Sequence, residues 1–267
     1  MTEIINVGRT LSDRKVTALA RELGKSPLDG RHFDRVLGAG DWDVHADRGW
    51  PPVLIVRRRA LPLHLPASPL RHALRRAART SDRLGGRRSG VVGSFNGRAC
   101  AFNTDRPKEY GLVQWVVRAL NTVYLEKAPP WFYQDQWAFA RLTHPGLLIP
   151  ETVFTTATVN FNEAWHMHRH RGNLTFGFSV MGVLRRGAYE GGLFVLPQYR
   201  LAVDVGNRDV VMFPPRAWHG NTAIVGDGEF ERLSVVGYYR RDMIGYEVPA
   251  DEYERACRAA WAARELS

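Results

Sequence analysis

The hydrophobic rhythm of this chain changes near Pro150. Before that point apolar residues recur every three or four positions. Val113, Val116, Val117, Leu120, Val123 and Tyr124 mark one helical face, and the pattern runs from Tyr110 to Arg141 with a break at Pro129-Pro130. A pair of helices packed on a sheet is expected, with Trp115, Trp131, Phe132, Trp137 and Phe139 in its core. Upstream, Leu11 to Leu23 predicts a helix, and a second is expected around His32 to Leu37, ending at Gly38-Ala39-Gly40. Val53 to Val56 predicts a strand. Ser68-Pro69 predicts a helix start, with Ser as the cap and Pro in the first turn.

After Pro150 the runs become short and β-branched. Phe154 to Asn160, Phe176 to Leu184, Gly192 to Leu196, Leu201 to Val205, Val210 to Phe213 and Leu233 to Tyr239 are separated by Gly, Pro and Asn/Asp turns. Six or more short strands at this spacing predict an antiparallel sandwich or jelly roll. The tail from Asp251 to Leu266, rich in Ala, Arg and Glu, predicts a helix.

At 267 residues and 45% hydrophobic content the chain can bury a substantial core. No stretch approaches the ~18 apolar residues of a membrane span, and the first residues lack the plan of a signal peptide. Cys100 and Cys257 are too few and too far apart for a disulfide framework, so a cytoplasmic setting is expected. The net charge of +10 comes mainly from arginine and suggests a polyanionic partner, most often nucleic acid. The helix after Pro69 carries Arg71, Arg75, Arg76 and Arg79, and a basic loop with Arg87 and Arg88 follows. These are the candidate phosphate contacts, with a solvated helix face as the plainer alternative.

The candidate chemistry lies in Trp165-His166-Met167-His168-Arg169-His170 and in Trp218-His219-Gly220-Asn221. If the first run is a strand, His166, His168 and His170 share one face. Neutral imidazole is a common ligand of Fe, Zn, Cu and Ni. Arg232-Leu233-Ser234 follows His219 by thirteen residues and offers a planar cation and a hydroxyl for a carboxylate.

The order of these three elements resembles the double-stranded β-helix of iron(II)/2-oxoglutarate dioxygenases, which use His-x-Asp, a distal His and Arg-x-Ser. The run from Phe154 to Asn162, Gly177-Phe178, Gly187 to Gly192, Pro197 to Arg200 and Trp218 to Thr222 narrow it. They are similar to the TET/JBP family, in its compact phage and bacterial forms, over roughly residues 90–243. The resemblance implies an α+β protein with a cupin-like jelly-roll core at about 150–243 inside an oxygenase region at 91–243. Residues 1–90 would be a mixed helical, basic region of unknown role, and 244–267 a C-terminal helix.

It further implies Fe(II) as cofactor, 2-oxoglutarate and O₂ as co-substrates, and DNA as partner, the 5-methyl group of thymine or 5-methylcytosine being hydroxylated. Ligands would be His168, His170 and His219, with Arg232 and Ser234 binding 2-oxoglutarate. His170 falls where the family has Asp. Sliding the pattern back to His166 and His168 still gives His at that position, and Glu163, the nearest acid, precedes the pair on the other strand face. Three readings stay open: a working three-histidine site, changed chemistry on a free nucleotide or small molecule, or a silent relative that binds DNA. His32, His45, His64, His72 and His144 carry no pattern and are expected at the surface.

Overall fold

The computed structural model describes residues 2–46, 51–62, 67–80 and 88–247. Its strands are β1 (Thr2–Asn6), β2 (Arg35–Leu37), β3 (Asp41–His45), β4 (Pro52–Arg57), β5 (Ser89–Phe95), β6 (Arg98–Ala99), β7 (Thr156–Phe161) and β8 (Ser179–Arg186). There follow β9 (Glu190–Gly191), β10 (Phe194–Leu196), β11 (Leu201–Val203), β12 (Val210–Phe213), β13 (Gly220–Asn221), β14 (Ile224–Val225) and β15 (Glu231–Tyr238). The helices are α1 (Asp13–Leu23), α2 (Ala67–Ala77), α3 (Ala101–Asp105), α4 (Pro107–Lys127) and α5 (Pro130–Arg141).

Two sheets face each other. The larger has the order β1-β3-β4-β12-β8-β15-β7-β5-β6 and the smaller β13-β10-β11-β2. Between them Leu54, Val56, Met181, Val183, Phe194, Leu196, Val211 and Phe213 form one apolar layer. The outer face of the large sheet is covered by α2 and α4, whose Leu70, Leu74, Val113, Val117 and Leu120 join the largest core. The α+β class and the jelly-roll core follow the reading of the sequence. Pro107 opens α4, where its missing N–H removes nothing from the helix ladder.

On the outside of the small sheet α1 contributes Val16 to a third cluster with Leu28, Met167, Val195, Ala202 and Trp218. Ser12 caps α1 by accepting from the N–H of Lys15. The first eighty residues thus supply four strands to the two sheets and two helices, α1 and α2, to the outer layers.

Several local expectations are corrected. The stretch expected to be a helix at 32–37 is a 3₁₀ turn, Gly30–His32, followed by β2, which pairs parallel with β11. Pairing to a free edge outweighs the weak local helical pattern. His32 is buried, 8% exposed, and its ring accepts from the N–H of Asp29. His144 likewise caps a turn, accepting from Gly146. Ser68 lies within α2, whose first residue is Ala67. Phe132 and Phe139 pack on the core, but Trp131 and Trp137 are about half exposed on the open face of α5. The expected tail helix and Arg87 lie outside the described residues.

Candidate metal and co-substrate site

The two sheets enclose a cavity of about 390 Å³, lined by inward residues of β5, β7, β8 and β15 together with the histidine segment. That volume lies in the range of small-molecule sites. Antiparallel pairing sets its depth. Arg232 is level with Arg185 at one end of β8, and Ser179 lies at the other. Six residues of strand span roughly 20 Å.

The histidines reach the cavity by a route different from the expected strand. β7 stops at Phe161, and residues 162–167 run as irregular backbone. A single antiparallel bridge then joins His168 to His219, each N–H bonding the other's carbonyl at 2.9 Å. His168, His170 and His219 converge so that their ligand nitrogens all lie within 4.8 Å of one another. His166 stays outside the cluster, its ring 5.9 Å from that of His168.

Tautomers follow from the partners. His168 Nδ1 lies 2.8 Å from the carbonyl of His166, and His219 Nδ1 lies 2.8 Å from that of Ala217. A carbonyl only accepts, so both Nδ1 atoms carry the proton and both Nε2 lone pairs are left for a ligand. His168 Nε2 and His170 Nε2 are 3.2 Å apart. Two nitrogens held at right angles by metal bonds of about 2.1 Å would lie about 3.0 Å apart. Burial, then the neighbouring His168 and Arg240, lowers His170 to about 3. His219 is driven well below its ordinary value, by burial first and then by the other two rings. All three donors therefore suit a divalent cation, which binds neutral imidazole.

Arg232 closes the inner end. It is 3% exposed, its Nη2 has no hydrogen-bond partner, and no carboxylate pairs with it among the described residues. Burial lowers its pKa, but an arginine starts so high that the charge remains. A buried guanidinium without a counterion is costly unless an anion arrives. Gly192 makes room for it: a Cβ there would lie 3.3 Å from the Arg232 side chain, and its φ of +66° favours glycine.

The mounting of this end is built from Asn160 and Asn162, two residues apart on and just beyond β7. Asn160 Nδ2 donates to Ser234 Oγ at 3.0 Å, while its Oδ1 accepts from Ser89 Oγ at 2.6 Å and Trp165 Nε1 at 2.8 Å. Ser234 keeps its own proton to donate into the cavity. Asn162 Oδ1 accepts from the N–H of Arg232 at 2.6 Å, and Asn162 Nδ2 donates to the carbonyl of Phe230 at 3.1 Å. Neither asparagine was selected as a site residue from the sequence, yet the Asn-x-Asn spacing opposite Arg-x-Ser is a readable signal.

At the mouth, Tyr238 stacks on His170 at 6.0 Å between ring centroids and shares a 3.1 Å hydrogen bond with Thr158. Burial pushes the Tyr238 phenol up to about 12. Ser179 Oγ and Asn173 Nδ2, both 1% exposed and lining the cavity, have no partner. Arg169 and Arg171 flank the opening, and Arg216 donates to the carbonyl of Arg171. None of these three makes an ion pair within the described residues.

The arginines of α2 are disposed otherwise. Arg71 and Arg75 both grip Glu231, at 2.5 and 2.6 Å, and Arg76 lies 3.6 Å from Glu109. Arg79 is exposed, and Arg88 lies over the ring of Phe161.

A model of the TET/JBP oxygenase domain of the 2-oxoglutarate/iron dioxygenase superfamily matches residues 93–241, more than half of the chain. The chain belongs to this family. As a TET/JBP oxygenase it is 31% identical over 144 residues to the bifunctional helicase and thymine dioxygenase JBP2 of Trypanosoma brucei brucei, covering 54% of this chain and 13% of that protein. It is 26% identical over 219 residues to the thymine dioxygenase JBP1 of Leishmania braziliensis, 75% of this chain and 26% of the relative. The TET/JBP oxygenase thus spans only about an eighth to a quarter of these relatives. The solved structure of NgTET1 in complex with 5mC DNA has the same fold, with a TM-score of 0.57, 10% identity, and coverage of 93% of this chain and 99% of that one. Iron(II) and 2-oxoglutarate belong to the superfamily, and the three converging imidazoles and a guanidinium with no carboxylate partner among the described residues fit both. No helix among the described residues is long and apolar enough to cross a membrane.

Proposed function

We propose that the protein oxidises the 5-methyl group of thymine or 5-methylcytosine in DNA, consuming 2-oxoglutarate and O₂ and releasing succinate and CO₂. The observation that carries this reading is one cavity with two differently equipped ends: a buried, anion-seeking guanidinium inside and a histidine triad near an arginine-flanked mouth. Relatives that share the domain are thymine dioxygenases. Arg232 and Ser234 hold the far carboxylate of 2-oxoglutarate, and Asn160 and Asn162 fix their positions. When bound at His168, His170 and His219, iron(II) supplies the redox chemistry that couples decarboxylation to methyl hydroxylation.

A base inside a duplex must leave the stack to enter such a cavity. The Tyr238 ring and the unpaired donors of Ser179 and Asn173 give it an aromatic wall and hydrogen-bonding groups at the mouth. Arg169, Arg171 and Arg216, uncommitted to any carboxylate, would take the flanking phosphates. The reading favours DNA contacts at the rim over α2, because Arg71, Arg75 and Arg76 are already held by acids.

The test supplies purified protein with Fe(II), 2-oxoglutarate and duplex DNA containing thymine or 5-methylcytosine. Succinate and hydroxymethylated base should appear in equal amounts by mass spectrometry. Binding of 2-oxoglutarate with no oxidised base on any such DNA would overturn the proposal. The all-imidazole triad favours one rival, a silent relative that binds DNA. That rival would bind DNA while failing to take up stoichiometric metal.

A further inference from the structure

We infer that this site binds its metal tightly only together with a dicarboxylate, because no described residue of the triad brings negative charge to the metal. Three facts converge. The three ligands are neutral imidazoles, with no carboxylate in the cluster. The cavity lining contains four arginines, Arg169, Arg171, Arg232 and Arg240, against one acid, Glu163. Glu163 accepts from the N–H of Arg88, and among the described residues Arg240 alone of the four has a carboxylate partner, Asp242.

A divalent cation entering alone would therefore join a buried, unpaired guanidinium with nothing in the triad to balance it. Like charges in a site of low effective dielectric repel strongly. A dianion that reaches from the metal to Arg232 neutralises both at once. Linkage then requires that the metal raise dianion affinity by the same factor that the dianion raises metal affinity. The His170 position sets the strength of this coupling, because a carboxylate there would neutralise part of the metal charge in advance. This rests on reading the cavity as a metal/2-oxoglutarate site, and it is independent of whether DNA is the target.

The experiment is calorimetric titration of metal-free protein with Mn(II), alone, with 2-oxoglutarate and with glutarate. Glutarate has both carboxylates but no keto oxygen, so it separates charge balance from chelation. Wild-type protein should gain about 10-fold or more in Mn(II) affinity with glutarate, within the 5–150-fold span of typical couplings. His170→Asp should bind Mn(II) more tightly unaided and show a glutarate effect below about 3-fold. Arg232→Met, should the first variant fold poorly, should lose the glutarate effect while keeping its triad.

An equal glutarate effect in wild type and His170→Asp overturns the inference, as does one that survives Arg232→Met. Tight Mn(II) binding by wild type with no dianion present also overturns it. No Mn(II) binding under any condition would remove the metal reading as well. Coupling without any DNA oxidation would leave the inference standing and remove only the DNA target.

Discussion

The inner end of the cavity and its mouth are built on opposite plans. Inside, Ser234 and the backbone of Arg232 are gripped by Asn160 and Asn162, and Asn160 is itself held by Ser89 and Trp165. At the mouth, Ser179, Asn173 and the three arginines of the rim have donors to spare. An invariant small co-substrate can be met by a firmly held mount that leaves one guanidinium nitrogen open. A large and variable polymer is better met by donors that settle only on contact.

The difference can be probed in order of expected effect. Arg232→Gln should abolish 2-oxoglutarate binding in calorimetry, a loss of about 3 kcal/mol or more for removing one partner of a buried charge pair. A mouth variant should leave that binding intact. Replacing Arg169, Arg171 and Arg216 together by Gln should instead weaken DNA binding about 10–100-fold near 0.1 M salt. The slope of log affinity against log salt should fall by about 2–3. A matching change in Arg79→Gln, on α2, would erase the contrast between rim and helix.

Asn160→Ala should destabilise the fold by about 1–3 kcal/mol in thermal or urea unfolding, because it strands Ser89, Ser234 and Trp165. The last test concerns pH. His170 and His219 titrate lower folded than unfolded, so below the ordinary histidine value near 6.5 the unfolded chain holds more protons. The stability of metal-free protein should be complete above about pH 6.5 and decline as pH falls toward 3. Each histidine adds a slope of at most about 1.4 kcal/mol per pH unit. A flat profile in acid urea melts would show that the rings are not buried as described.

Much of this was legible in the chain, for reasons that differ by region. The strands after Pro150 and the two long helices were readable because each buries one periodic face. The triad His168, His170 and His219 was readable from residue type, but its geometry was not. Those residues do not form a strand, and one backbone bridge to a segment fifty residues away places them. β2 was missed because three residues carry too little pattern, and its partner β11 is distant in sequence. The partners of the α2 arginines were unreadable for a similar reason. Clustering along the chain says nothing of Glu231, which arrives from β15 to bind two of them.

The third apolar cluster has a practical corollary. Val16 of α1 and Leu28 pack against Met167 and Trp218, each of them adjacent in sequence to a histidine of the triad. Leu28 also bonds to Asn221 through its backbone. The family model matches only from residue 93. A protein shortened to that match would shed β1, β3 and β4 from the larger sheet, and with α1 and Leu28 the brace behind the histidine segment. Where the family model begins along this polypeptide is not where self-sufficiency begins.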